Sequence, residues 1–209
     1  MPKLSKDNNI PNAINRLKII PALTSCCPTG VVNCIDKTND AEVFVYDDKN
    51  LGYSDWNNNS AAVTISKCFI AKNPKKTEIT LLPLDNRLVQ NTRAQPTLTE
   101  GGITDCAIAT DQELCFIEFK TNATSRKNIR RNSNKAEKQL WHTYDSIIKP
   151  KCLNQGVDLS SSVTIEFYIV FDTAMGVTGA MASCQARMIK FATEHSGALL
   201  FFDNEKEFV

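Results

Sequence analysis

No stretch of the 209-residue chain approaches the ~18–20 consecutive apolar residues of a membrane span, so a transmembrane protein is not expected. Neither sign of charge dominates: 24 Lys and Arg stand against 23 Asp and Glu, a net charge of +1. That balance removes any chain-wide attraction to nucleic acid or to an acidic membrane surface, so a basic footprint has to be local. Histidine is scarce, with only His142 and His195, far apart in the chain. No C-x-x-C spacing repeats, so a zinc site built from paired short-range ligands is not expected. Internal repeats and low-complexity tracts are absent as well. The opening MPKLSKDNNIPN has no apolar signal-peptide core, and the expected location is cytoplasmic.

What is present is ordinary in bulk, 22% charged and 42% hydrophobic residues, and long enough for one well-buried domain spanning 1–209. The eight cysteines (Cys26, Cys27, Cys34, Cys68, Cys106, Cys115, Cys152 and Cys184) are read as reduced, with Cys106 and Cys115 acting as small hydrophobes inside apolar strands. A short helix is expected over Asn12–Ile20, bounded by Pro21. Strands are expected at Ala41–Tyr46 and Val63–Ile70, with residues 47–60 (DDKNLGYSDWNNNS) as a polar loop between them. Further strands follow at Thr77–Leu84, where Pro83 marks an edge or an end, then at 103–109, 114–120, Val163–Phe171 and Ala198–Phe202. Long helices are expected from about Lys127 to Ile148, stopped by Pro150, and around Ala180–Glu194. This order describes an α/β fold, a mixed sheet covered by helices, with its core at about 77–202.

One segment is chemically odd. In GGITDCAIATDQELCFIEFKTN, residues 101–122, two apolar strands each contain a carboxylate, Asp105 and Glu118, and Lys120 closes the second. Burying an unpaired charge costs several kcal/mol or shifts its pKa, so the three need a reason to be there. A hairpin turn centred on Asp111-Gln112 sets Thr110 opposite Glu113, and the same register sets Asp105 opposite Glu118. Cross-strand partners lie ~4.5–5.5 Å apart at Cβ and share a face, which Lys120, two residues beyond Glu118, shares too. Facing carboxylates repel unless a cation lies between them, and a hard divalent ion such as Mg²⁺ or Mn²⁺ meets that need. The bland alternative is an ion pair of Lys120 with one of the acids near a sheet edge.

Asp105, twelve intervening residues, then Glu118-Phe119-Lys120 resembles the signature of the PD-(D/E)XK restriction-endonuclease-like nucleases. The resemblance covers roughly residues 77–171, and the N-terminal 75 residues match nothing in it. It implies that Asp105, Glu118 and the Phe119 carbonyl hold Mg²⁺ (or Mn²⁺), that Lys120 assists the hydrolytic water, and that the fold is a restriction-endonuclease-like mixed central sheet flanked by helices. Thr104 stands where many members have Pro. Glu100 and Glu42 are the candidates for a further acid that many members add, and Gln139 and Tyr144 are five apart where one subgroup has a Gln and a Tyr one turn apart. Gly101-Gly102 would leave room for a substrate phosphate.

The following helix carries a local charge excess. In SRKNIRRNSNKAEK, residues 125–138, Arg126, Lys127, Arg130, Arg131, Lys135 and Lys138 face the single acid Glu137. Such a stripe suits a phosphate backbone. Trp141 and Tyr144 could stack on bases, but their helical spacing assigns them to the core. The expectation is a Mg-dependent nuclease acting on nucleic acid, DNA first, with a homodimer allowed and no membrane. The competing expectation is a catalytically silent nucleic-acid-binding or assembly protein of the same fold.

Overall fold

The computed structural model describes residues 10–90, 98–123 and 125–208. Its centre is a six-stranded mixed sheet. The strands are β1 (Asp36–Thr38), β5 (Ile79–Pro83), β6 (Cys106–Ala109), β7 (Glu113–Phe119), β8 (Thr164–Val170) and β9 (Leu199–Phe201), in the spatial order β1-β5-β6-β7-β8-β9. The first four pair antiparallel, and β7, β8 and β9 run parallel. A second sheet lies against one face, in the order β10-β4-β2-β3, from β2 (Glu42–Asp48), β3 (Tyr53–Asn57), β4 (Phe69–Lys72) and β10 (Glu205–Glu207). Helices cover the other face, so the molecule has three layers: helices, large sheet, small sheet.

Period-two alternation sorts the side chains between the two interfaces. Ala107 and Ala109 of β6, Leu114 and Phe116 of β7, and Phe167 and Ile169 of β8 pack under the helices. Cys106, Ile108, Cys115, Ile117, Phe119, Tyr168 and Val170 face the second sheet and meet Val43, Val45 and Phe69 there. All seven residues of β7 are buried, as expected of a central strand covered on both faces.

The helix α3 (Arg126–Trp141) begins at Ser125, whose hydroxyl accepts from the Asn128 N–H, and it buries Ser133, Ala136 and Leu140 along one stripe. Trp141 and Tyr144 join Phe116, Phe167 and Phe191 in an aromatic cluster, so they are core residues. Pro150 does not stop this helix. The chain widens into a π-helical stretch, His142–Ile148, in which the Lys149 N–H reaches back five residues to the Tyr144 carbonyl, and continues as α4 (Lys149–Leu153). Pro150 falls in the first turn of α4, where a missing N–H and a fixed φ are tolerated. The short α5 (Leu159–Ser162) precedes β8, and α6 (Ala182–Glu194) precedes β9.

Other differences lie in the N-terminal third. The expected first helix is two, α1 (Asn12–Arg16) and α2 (Ile19–Leu23), broken at Lys18, which adopts a left-handed φ of 56°. Pro21 lies inside α2 rather than beyond it, within the first turn, where its N–H would have no helical partner. The 47–60 loop contains β3, paired with β2 from Asp48↔Tyr53 to Phe44↔Asn57. Within the expected 63–70 strand, Ile65–Lys67 forms a 3₁₀ turn instead, and pairing starts only at Phe69. Pro83 ends an interior strand, β5, held between β1 and β6. All eight cysteines are free and buried. No helix among the described residues is long and apolar enough to cross a membrane.

Candidate metal centre and basic face

The pairing of β6 with β7 runs Cys106↔Ile117, Ala107↔Phe116, Ile108↔Cys115 and Ala109↔Leu114, the register expected from the turn. Asp105, one residue before β6, therefore comes opposite Glu118, and both lie on the helix-covered face at the C-terminal end of β7. Their contact is direct. The Asp105 N–H donates to Glu118 Oε2 at 3.2 Å, and the Phe119 N–H donates to Asp105 Oδ2 at 2.6 Å. The Lys120 N–H is bonded to the Val170 carbonyl of β8, so in an extended strand the Phe119 N–H and C=O turn the other way, towards Asp105. Lys120 Nζ donates to Glu118 Oε1 and, at 3.1 Å, to Gln139 Oε1.

Gln139 is buried and clamps the site, since its Nε2 also donates to the Ile103 carbonyl at 2.9 Å. Beside it, the Thr104 N–H donates to Thr143 Oγ1 at 2.9 Å. The glycines do not open this end of the site to a phosphate. A Cβ on Gly101 would stand 2.3 Å from the His142 ring, and one on Gly102 would stand 2.8 Å from Gln139. Gly102 also has φ +78°, which a side chain would oppose. Gly101-Gly102 is thus where the 98–105 segment passes against the helix, with His142 and Gln139 filling the space.

Electrostatically the acids are overcrowded. Glu118 is 1% exposed, and burial pushes its carboxyl up to about 7, although Lys120 and the Asp105 N–H pull the other way. Asp105 is raised well above the usual carboxylate range, by burial and then by the Glu118 charge, against the Phe119 N–H and Lys120. Two acids outside the expected set take part. Asp85, just after β5, is raised mainly by burial and adds its charge to the field on Glu118; Asp47, near the end of β2, is raised by burial and acts on Asp105. The sequence offered only a weak cue to them, polar residues ending apolar strands. Glu42 and Glu100 are not at this site: Glu42 is exposed at the other end of β2, paired with Lys72, and Glu100 is exposed in a turn.

The side chains able to hold a divalent ion are Asp105 and Glu118, with the Phe119 carbonyl beside them. Among the described residues no group of three or more His, Cys, Asp or Glu is placed to hold a metal. An all-oxygen set with few protein ligands fits Mg²⁺, which keeps waters and substrate oxygens in its shell. It does not fit a closed zinc site.

On α3, Lys127, Arg130, Arg131, Lys135 and Lys138 are exposed; the side chain of Arg126 lies outside the described residues. The one acid of the stripe, Glu137, is bound by Arg187 at 2.5 Å, so its charge is neutralised from a neighbouring helix. The Lys135 charge reaches Asp85, which ties the basic face to the acid cluster. A cavity of about 920 Å³ lies elsewhere, at the N-terminal ends of β8 and β9, lined by Trp141, Asp145, Ser162 and His195. It lies at the opposite end of β7 and β8 from Asp105 and Glu118.

Comparison with known proteins returns no matching family model, no matching curated protein and no matching solved structure.

Proposed function

We propose that this protein is a divalent-metal-dependent nuclease of the PD-(D/E)XK, restriction-endonuclease-like type, hydrolysing phosphodiester bonds in DNA. The observation that carries the reading is the pairing of Asp105 with Glu118 on one sheet face, both with raised proton affinity and with Lys120 against Glu118. Burial raises both carboxyls, and a cation bound between them would favour their charged forms. A bound Mg²⁺ or Mn²⁺ would supply an activated water and charge neutralisation at the phosphate. Asp105 and Glu118 would hold it, with the Phe119 carbonyl. Lys120, kept in place by Glu118 and Gln139, offers an ammonium where negative charge builds on the phosphoryl oxygens. The exposed Lys127, Arg130, Arg131 and Lys135 would hold the flanking phosphates and set register without reading sequence.

The test is cleavage of single- and double-stranded DNA with Mg²⁺, with Mn²⁺ and with chelator. The expected result is cleavage that needs the divalent ion and falls by on the order of 10³ or more in Asp105→Ala and Glu118→Ala, which stay folded. Cleavage at the wild-type rate by either variant would overturn the metal-site assignment. Metal-insensitive binding without turnover would favour a silent nucleic-acid-binding protein of this fold.

A further inference from the structure

Three of the eight cysteines fall in CCPTGVVNC, residues 26–34, which the reaction centre does not use. After α2 the chain reverses here. The Gly30 N–H donates to the Cys27 carbonyl at 3.2 Å, and Gly30 takes a positive φ of 85°, which glycine tolerates. A 3₁₀ turn, Val31–Cys34, then carries Cys34 back towards Cys27. Cys27 Sγ and Cys34 Sγ stand 3.5 Å apart, and both residues are 3% exposed. Buried thiols elsewhere meet oxygen instead: Cys68 donates to the Thr64 carbonyl at 3.3 Å and Cys115 to Glu166 Oε2 at 3.7 Å. Cys26, adjacent in sequence, lies against the Ser25 hydroxyl at 3.8 Å.

The sulfur pair is buried under a thin cover. The exposed Thr29 sets its hydroxyl 3.1 Å from Cys34 Sγ and 3.6 Å from Cys27 Sγ, so a solvent-facing side chain touches both. Burial pushes the Cys27 thiol up while the Thr29 hydroxyl pulls it down, so at neutral pH the pair rests as two thiols and reacts slowly. A disulfide places its sulfurs about 2.05 Å apart, about 1.5 Å closer than here, and rotation of two cysteine side chains can supply that.

The same loop grips a second segment. Cys27 Sγ donates to the Arg87 carbonyl at 3.5 Å, Arg87 Nη2 donates to the Asn33 carbonyl at 3.3 Å, and the Gln90 N–H donates to the Cys26 carbonyl at 3.0 Å. At its other end this 84–90 turn holds the Asp105 carbonyl through the Leu84 and Asp85 N–H groups, at 3.0 and 3.3 Å. A covalent link in the loop would brace a turn that supports Asp105.

We propose that Cys27 and Cys34 are a reversible dithiol–disulfide pair, oxidised by hydrogen peroxide, that clasps the 27–34 loop. One sulfur, deprotonated, attacks a peroxide oxygen. The O–O bond breaks, the leaving hydroxide takes up a proton as water, and a sulfenic acid remains. The second sulfur attacks the first: the S–S bond forms, the S–O bond breaks, and the hydroxide leaves as water with the second thiol's proton. Two thiols and one peroxide become one disulfide and two waters. The clasp does not depend on the nuclease reading.

The test is treatment of the full reduced chain with hydrogen peroxide, then alkylation in denaturant, trypsin digestion and mass spectrometry. Residues 19–37 form one tryptic peptide holding Cys26, Cys27 and Cys34. It is expected to be lighter by two hydrogens, with Cys26 alone alkylated, and dithiothreitol before alkylation should restore all three thiols. Cys26→Ser is expected to keep the bond and Cys34→Ser to lose it. The oxidised wild type should melt roughly 5 °C above the reduced protein, a rise that Cys34→Ser does not show. Three alkylated thiols after peroxide, oxidation only to sulfinic or sulfonic acid, or a bond to Cys26 would each overturn the proposal, and the wild-type digest decides among these even if a variant fails to fold. A bond that leaves the melting midpoint unchanged would overturn the clasp.

Discussion

The two ends of β7 carry the same three charges and treat them differently. At its N-terminal end Glu113 and Glu166 share Lys206 of β10, at 2.8 and 2.7 Å, and the Tyr168 hydroxyl donates to Glu166 at 2.9 Å. All three ionic side chains are mostly buried, and the lysine lies between the acids as a bridge. At the C-terminal end Lys120 reaches Glu118 alone, Asp105 has only a backbone N–H, and Asp47 and Asp85 add further negative charge. The first group is a closed ion triad that ties the C-terminal strand to the large sheet. The second is the Asp105–Glu118 pair facing the helices, near the basic stripe, with Asp85 after β5 and Asp47 of the small sheet adding charge beside it and all four carboxyls pushed towards the neutral form. Two carboxylates and a lysine do not specify a role; whether the lysine spans both acids does.

The largest difference should appear when each lysine is removed. Lys206→Met leaves Glu113 and Glu166 facing each other in a buried site, and a loss of about 3–5 kcal/mol in urea denaturation is expected. A loss under 1 kcal/mol would mean the triad is not the closed structural unit described. Lys120→Met should cost less, about 1–2 kcal/mol, because Glu118, already near neutrality at about 7, takes up a proton instead. Added Mg²⁺ should recover part of that loss for Lys120→Met and none for Lys206→Met.

A pH series sharpens the contrast. Glu118 binds its proton more tightly folded than unfolded, its carboxyl moving from 4.5 to about 7. The stability it contributes is therefore complete below pH 4.5 and is lost as pH rises to about 7. One such group gives a slope of at most about 1.4 kcal/mol per pH unit. Asp105, also raised, acts in the same direction. Glu118→Gln should flatten the fall in thermal or urea midpoints, and saturating Mg²⁺ should reduce it in the wild type. If the midpoints of wild type and Glu118→Gln track each other across this range, the acid end is as well compensated as the Lys206 end.

The smallest effect belongs to the exposed cations. Replacing Lys127, Arg130 or Arg131 singly by Ala should lower the slope of log K against log salt for DNA by roughly one unit. An unchanged slope would turn the α3 face towards solvent or a protein.

What was legible in the sequence is what short-range periodicity controls. The apolar runs CAIA and ELCFIEF marked two buried strands, and the two-residue turn between them set the β6–β7 register and with it the facing of Asp105 and Glu118. The spacing of Trp141 and Tyr144 likewise marked them as core. Only the tertiary structure decided the rest. β1, β3 and β10 are short and polar, and they are strands because a neighbour offers a ladder to pair with. Pro150 stays inside a continuous helical run because a π turn, packed on the sheet, precedes it. Asp47, Asp85 and Gln139 come from three distant segments, and no local pattern marks them as members of one site. Their proximity to Glu118 follows from sheet stacking and helix packing, and so does the negative charge added around the Lys120–Glu118 ion pair.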